Sequence, residues 1–236
     1  MNMQENPNSE DQGEGRRERE HSLVQVQAGN ATLEGDLSIP DGATGIVAFV
    51  HGSGSSRNSP RNQYVASELQ AGGLATLLFD LLTAEEDEID RVTRQYRFNI
   101  DLLAKRTEDA VVWLLEQPNV YGMRLGLFGA STGAAAALIT AAQLPGMVQA
   151  VVSRGGRPDL AGAYLGRVQA PTLLIVGGLD DVVIDLNKQA LAQMQPDPPK
   201  DLVIVPGATH LFEEAGTLER AAQLARDWFK QYLLLT

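Results

Sequence analysis

Three residues whose types could together carry out acyl transfer occur in the chain in the order Ser131, Asp180 and His210. A serine hydroxyl is a weak nucleophile until a nearby base takes its proton, and that base needs an acid to orient it. Ser131 lies in the stretch "GASTG", between Gly129 and Gly133. A serine flanked by glycines is also common in ordinary turns, so the neighbouring elements must decide its role.

The apolar run 124–129 precedes Ser131, and the alanine-rich segment 132–143 follows it. This is the strand–turn–helix context that the G-x-S-x-G motif requires. A serine held on such a sharp turn has a strained backbone, and Cβ atoms at positions 129 and 133 would clash with it. The sequence therefore predicts Ser131 as a nucleophile, with Gly129 and Gly133 making the turn possible.

The base and the acid each follow a separate apolar run. His210 comes after the run 201–207, and "GGLDD" places Asp180 and Asp181 after the run 172–178. Because parallel strands end at the same edge of a sheet, we expect His210 to act as the general base for Ser131. Either aspartate could orient His210 while the other caps the next helix, and we favour Asp180 as the acid.

The stretch "HGSGSS" begins with His51 and opens a loop rich in glycine and serine. Such a loop can supply backbone N–H groups to a developing oxyanion. We expect the N–H groups of Ser53 and Thr132 to form the oxyanion hole. His51 itself is interpreted as structural, with its imidazole bonded to nearby backbone.

Three arginines could bind a carboxylate of the substrate. Arg154 directly follows the run 148–153, and Arg57 and Arg61 flank the glycine- and serine-rich loop. Guanidinium groups bind carboxylates in bidentate geometry, although exposed arginines more often contribute only to solubility.

The aromatic residues Tyr96 and Phe98 could line the substrate pocket, or they could pack beneath the polar segment 81–97. Only a short segment separates the runs 148–153 and 172–178, which leaves little room for a lid. We therefore expect a shallow, open pocket suited to small substrates.

The remaining pattern alternates short apolar runs with helical segments, which is typical of an α/β sheet covered by helices on both faces. Gly29-Asn30 separates two alternating segments and predicts an antiparallel hairpin. We expect eight strands, mostly parallel, in a single domain over 22–236, after a disordered polar tail over 1–21. The predicted strands are 22–27, 31–39, 45–50, 74–80, 124–129, 148–153, 172–178 and 201–207, the last six of them buried, and the predicted helices are 61–71, 98–116, 132–143, 184–194 and 215–234.

The composition narrows the possible functions. The 236 residues carry a formal net charge of -11, which disfavours nucleic acid as a partner. With no cysteine and three histidines, a cysteine nucleophile is excluded and no metal is expected. No apolar run is long enough to span a membrane, and the N-terminus does not resemble a signal peptide. We expect a cytoplasmic protein that needs no cofactor and acts on a small acyl molecule.

The motifs "HGSGSS", "GASTG", "GGLDD" and "GATH" occur in the chain order of the α/β-hydrolases. Over residues 22–235 the chain resembles a small, lidless serine hydrolase of the dienelactone-hydrolase-like group. The resemblance implies a Ser-His-Asp triad and an acyl-enzyme. Dienelactone hydrolases proper carry a cysteine nucleophile, so Ser131 shifts the expectation toward ester or thioester cleavage, with lactones left open.

Two other functions compete with this one. The first is a non-catalytic protein that uses the same fold for binding. The second is a nucleotide-binding α/β protein, but "HGSGSS" lacks both the glycine spacing and the lysine of a phosphate-binding loop. The sequence does not indicate an oligomeric state.

Overall fold

The structure of the chain is a computed structural model, which describes residues 19–234. It opens with the predicted hairpin, in which β1 (Arg19–Ala28) pairs antiparallel with β2 (Ala31–Pro40). Gly29, with φ of 63°, allows the tight turn between them. β1 begins at Arg19 rather than at residue 22, so the tail predicted over 1–21 is too long. Residues 1–18 of that tail lie outside the described residues.

Six further strands complete a single eight-stranded sheet with the order β1-β2-β4-β3-β5-β6-β7-β8. All pairings from β4 onward are parallel, while β1–β2 and β2–β4 are antiparallel, and this confirms the predicted fold class. The six strands are β3 (Gly45–Val50), β4 (Ala75–Phe79), β5 (Arg124–Ala130), β6 (Val148–Arg154), β7 (Thr172–Gly177) and β8 (Lys200–Val205).

The prediction of six buried strands is wrong for β8. Only Val205 of this strand is buried, because at the edge of the sheet the two faces are covered less completely than at its centre. The strands β3 and β4, by contrast, are buried along their whole length, as central strands covered on both faces should be.

The five predicted helices are present, and a sixth occupies part of the segment 81–97, which had no assigned structure. This extra helix is capped by a reciprocal pair: Thr83 accepts from the Glu86 N–H, and Glu86 accepts from the Thr83 N–H. The helices are α1 (Pro60–Ala71), α2 (Ala84–Thr93), α3 (Ile100–Leu115), α4 (Gly133–Gln143), α5 (Asp181–Gln193) and α6 (Thr217–Leu233), with 3-10 helical turns over Pro158–Arg167.

The sheet separates two apolar cores. One forms where α3 and α4 pack on the sheet, and the other lies under α1 and α6. The loops after β3, β5, β7 and β8 all leave the same edge of the sheet, where the strands end. Within residues 19–234, no helix combines the length and apolar character that a membrane crossing requires.

Candidate active site

Ser131 lies on a sharp turn between β5 and α4, with φ of 50°. A non-glycine residue in this left-handed region is strained by roughly 1–2 kcal/mol. A Cβ on Gly133 would collide with the carbonyl oxygens of Val50 and His51, and one on Gly129 would collide with the backbone of Ala134. The start of α4 therefore fits against the end of β3 only because glycine stands at these positions.

His210 and Asp180 are joined by a hydrogen bond of 2.6 Å between Nδ1 of the imidazole and Oδ2 of the carboxylate. Asp180 precedes α5 in the capping position, yet its side chain makes no capping hydrogen bond. Its carboxylate is therefore available to His210. Asp181, the other candidate, is the first residue of α5 and is exposed.

The loops that carry these two residues are held together by backbone contacts. The Leu179 N–H donates to the Ala208 carbonyl at 2.9 Å. A Cβ on Gly177 would collide with the carbonyls of Ala208 and Thr209, so glycine at the end of β7 permits this close approach.

His210 lies beside the backbone that carries Ser131. The Ser131 N–H donates to the Arg154 carbonyl at 3.3 Å, and a Cβ on the next residue, Gly155, would lie 3.7 Å from Cε1 of His210. Among the hydrogen bonds of the described residues, none joins Ser131 Oγ to His210. Catalytic hydrogen bonds are often loose without substrate and tighten when it binds.

The oxyanion loop, residues 51–59, rests directly on the turn at Ser131. A Cβ on Gly52 would lie 3.0 Å from the Ala130 carbonyl oxygen and from Ser131 Cβ. The Ser53 N–H donates to Oγ1 of Thr132 at 2.9 Å, so the two residues predicted to hold the oxyanion lie side by side. In the part of the chain that the structure describes, the Thr132 N–H has no acceptor.

His51 is buried and both of its ring nitrogens are bonded to backbone. Nε2 accepts from the Leu81 N–H at 3.0 Å, so Nδ1 carries the proton and donates to the Gly52 carbonyl at 2.9 Å. Burial lowers the pKa of His51 and favours the neutral ring. His51 thus ties the oxyanion loop to the end of β4 and has no free nitrogen to act as a base.

Arg57 is surrounded by acidic side chains. Its guanidinium contacts Asp80, lies 2.7 Å from Glu34 and 3.5 Å from Asp36. Its backbone N–H also donates to Asp80 at 2.7 Å. Three carboxylates already compensate this cation, which leaves it poorly suited to bind a carboxylate of the substrate.

Arg154 is buried rather than exposed. Its guanidinium lies 5.8 Å from the ring centre of Phe128, and Nη2 donates to Asn62 at 3.3 Å, while Nη1 has no acceptor among the described residues. Burial, and then the nearby charge of Arg61, lower the pKa of Arg154 to about 10. An anion bound at this position would stabilise the charged guanidinium and so counteract the lowering of its pKa.

A cavity of about 1190 Å³ opens on the far side of the oxyanion loop. It is bounded by that loop, by the end of β4 and by α2, and Ser53 lies in its wall, whereas Ser131 and His210 do not. This large polar cavity does not include the nucleophile, and the shallow pocket expected at Ser131 stays a prediction. Tyr96 and Phe98 do not line the cavity; the Tyr96 N–H donates to buried Asp90, and Phe98 is 57% exposed.

Sequence reasoning missed several residues at this edge. The pair Asp90–Arg97, joined at 2.5 Å, holds the end of α2 against the oxyanion loop, where Arg97 approaches Gly54. The capping pattern of Thr83 and Glu86 was readable and would have revealed α2. No sequence pattern indicated the Ser53–Thr132 contact.

Among residues 19–234, no group of three or more acidic or histidine side chains lies close enough to hold a metal.

The sequence profile of the dienelactone hydrolase family matches residues 34–233. A dienelactone hydrolase structure from Anabaena variabilis is 58% identical, covers 92% of this chain and 99% of its own, and superposes with a TM-score of 0.90. Est1E from Butyrivibrio proteoclasticus, at 14% identity over 89% of this chain and 98% of its own, has a TM-score of 0.73 and shows the fold alone.

Two curated relatives come from Mycobacterium tuberculosis strains CDC 1551 and H37Rv, each named "Putative phosphoribosyl transferase". They are 57% identical to this chain over 211 residues, or 89% of its length. The chain spans about half the length of these relatives, 46%.

Proposed function

The chain belongs to the dienelactone hydrolase family, and from this membership and the site geometry we propose that it is a serine hydrolase of small acyl substrates. Carboxylic esters are the first expectation, and thioesters and lactones are further substrates of the same chemistry. The observation that carries the proposal is the hydrogen bond between Asp180 and His210, beside a serine held in a strained turn.

In the proposed mechanism, Nε2 of His210 takes the proton from Ser131 Oγ as the oxygen attacks the acyl carbonyl. Asp180 keeps the proton of the imidazole on Nδ1 and stabilises the charged ring. The carbonyl oxygen becomes an oxyanion next to the Thr132 N–H at the start of α4, where the helix dipole also favours negative charge. His210 then protonates the leaving group, and water releases the acyl group from Ser131.

We further propose that Arg154, together with Arg61, binds a carboxylate carried by the substrate. Arg154 has no acidic partner among the described residues, and at the end of β6 it lies in register with Ala130, the residue before Ser131. Arg61 lies 3.7 Å from Glu213, whose exposed carboxylate can move aside so that Arg61 contacts the anion. Arg57 is not part of this proposal, because Glu34, Asp36 and Asp80 already neutralise it.

The names of the curated relatives refer to proteins of which this chain covers less than half. We therefore do not extend phosphoribosyl transfer to this chain. The site at Ser131 has the parts that acyl transfer needs: a strained serine, a histidine–carboxylate pair and a backbone donor.

A substrate panel tests the proposed function. Initial rates are measured for the wild type and Ser131→Ala with p-nitrophenyl esters of increasing chain length, acyl-CoAs and simple lactones. We expect turnover of short esters and a loss of about 10⁴-fold or more in Ser131→Ala. A wild type that hydrolyses nothing on the panel would favour the non-catalytic binding protein, and equal rates in both proteins would remove Ser131 from the mechanism.

A further inference from the structure

The backbone donor expected from the oxyanion loop is already engaged. The Ser53 N–H donates to Oγ1 of Thr132 at 2.9 Å, across 79 residues of sequence. An oxyanion donor should point at the position that the substrate oxygen will occupy, and not at a side chain of the protein. In this structure the Ser53 N–H is therefore bonded to the Thr132 hydroxyl and does not itself serve as a donor to the substrate oxygen.

The Thr132 side chain is also not used in the way its position suggests. Threonine before the first turn of a helix usually caps it, but Thr132 makes no capping hydrogen bond to α4. Its hydroxyl is turned toward the oxyanion loop, and the residue is only 6% exposed. Among residues 19–234, the hydroxyl accepts from the Ser53 N–H but donates to no acceptor. Its hydrogen is therefore free to donate, next to the turn that carries Ser131.

Accepting a hydrogen bond makes a hydroxyl a stronger donor, because each bond in a chain polarises the next. The free hydroxyl hydrogen belongs to the residue that directly follows Ser131. The same residue supplies the backbone N–H at the start of α4, which has no acceptor within the described part of the chain. Two donors of Thr132 thus lie beside the nucleophile, one of them reinforced by the amide of Ser53.

We propose that the Thr132 hydroxyl is itself an oxyanion donor and that the Ser53 N–H acts through it. This inference rests on the proposed serine hydrolase function. During attack, the bond between Ser131 Oγ and the carbonyl carbon forms, and the carbonyl π electrons move onto the oxygen. The Thr132 hydroxyl keeps its proton and donates a hydrogen bond to that oxygen. The proton from Ser131 goes to His210. Thr132 is then a catalytic residue through its side chain as well as its backbone.

Two substitutions separate the hydroxyl from the shape of the side chain. Thr132→Val is nearly isosteric and removes the donor, whereas Thr132→Ser keeps the hydroxyl and removes a methyl group. We expect kcat to fall about 10²–10³-fold in Thr132→Val with KM little changed, and Thr132→Ser to stay within about tenfold of the wild type. A rise of kcat in Thr132→Val would mean that the hydroxyl blocks the Ser53 N–H, and would overturn the proposal.

A crystal structure of the wild type phosphonylated by a fluorophosphonate gives a test that does not depend on variants. We expect the phosphonyl oxygen of the Ser131 adduct within about 3.0 Å of both Oγ1 and N of Thr132. If Oγ1 lies beyond hydrogen-bonding distance and bonds only Ser53, the inference fails while the proposed function stands. If Ser131 forms no adduct at all, the proposed function fails, and the inference falls with it.

Discussion

Asp180 stands in the capping position of α5, but its carboxylate accepts from Nδ1 of His210 at 2.6 Å instead of capping the helix. Asp180 could stabilise its own helix, but it instead bonds the histidine in the loop after β8. The backbone bond from Leu179 to Ala208 holds the two loops in the register that this contact needs.

Replacing Asp180 should therefore affect activity much more than replacing its neighbour. Asp180→Asn keeps the shape but no longer favours the proton on Nδ1 or the charged ring of His210, and we expect kcat to fall about 10²–10⁴-fold. Asp181→Asn is the matched control and should stay near wild type. Steady-state rates with a p-nitrophenyl ester are measured for both variants. A larger loss of activity in Asp181→Asn would show that Asp181, and not Asp180, is the acid.

Gly133→Ala tests the steric fit between α4 and β3. The added methyl group would meet the carbonyl oxygens of Val50 and His51, so we expect a loss of about 3 kcal/mol in the free energy of unfolding and a loss of activity. Gly166→Ala is the control, because its nearest neighbour would be the Gln193 carbonyl oxygen at 3.5 Å. Urea unfolding measures the difference, and equal stability of the two variants would refute the packing argument.

Arg154→Met tests the proposed carboxylate site. We expect KM to rise about tenfold for a p-nitrophenyl ester with a terminal carboxylate, which corresponds to about 1.4 kcal/mol, and to change little for a neutral ester of equal length. Because a buried cation without an acidic partner is costly, the melting temperature of the variant should not fall. Arg124→Met, at the opposite end of the sheet, is the control. Equal changes of KM for the two esters would refute the proposed carboxylate site.

The buried His51 predicts a pH dependence of stability. Because its pKa is lowered in the folded state, the unfolded chain binds the proton more readily. The stabilising contribution is therefore complete above the unfolded pKa, about 6.5, and is lost as the pH falls toward the folded value. Each pH unit in this window costs up to about 1.4 kcal/mol.

Urea unfolding at pH 8 and pH 5.5 measures this effect. The wild type should lose more stability between the two pH values than His51→Gln, which is less stable at both because two backbone hydrogen bonds change. His21→Gln, on the edge strand β1, should follow the wild type. Parallel pH curves for the wild type and His51→Gln would show that His51 is not held neutral.

The edge that carries Ser131, Asp180 and His210 could be predicted because each residue lies within three positions of the end of an apolar run. Parallel strands that are buried on both faces have a strong sequence signal, and β3 begins and ends at the predicted residues. The role of the glycines in "GASTG" could also be predicted, because a sharp turn restricts which residue types fit beside it.

Contacts between distant polar side chains could not be predicted in this way. Arg57 looked free in the sequence, but it is neutralised by Glu34 and Asp36 on β2 and by Asp80, which follows β4. The Ser53–Thr132 bond depends on how closely α4 approaches the oxyanion loop, which no local pattern encodes. Arg154 reads as an exposed residue at a strand end, but it is buried in contact with Phe128 on β5 and Asn62 on α1, which no local pattern indicates.

Covalent labelling by a fluorophosphonate tests the central claim most directly. The wild type, Ser131→Ala and the loop control Ser55→Ala are treated with the reagent, and the mass of each protein and the modified peptide are determined. We predict one adduct on the wild type and on Ser55→Ala, located at Ser131, and none on Ser131→Ala. An unlabelled wild type, or labelling that persists in Ser131→Ala, would contradict the account.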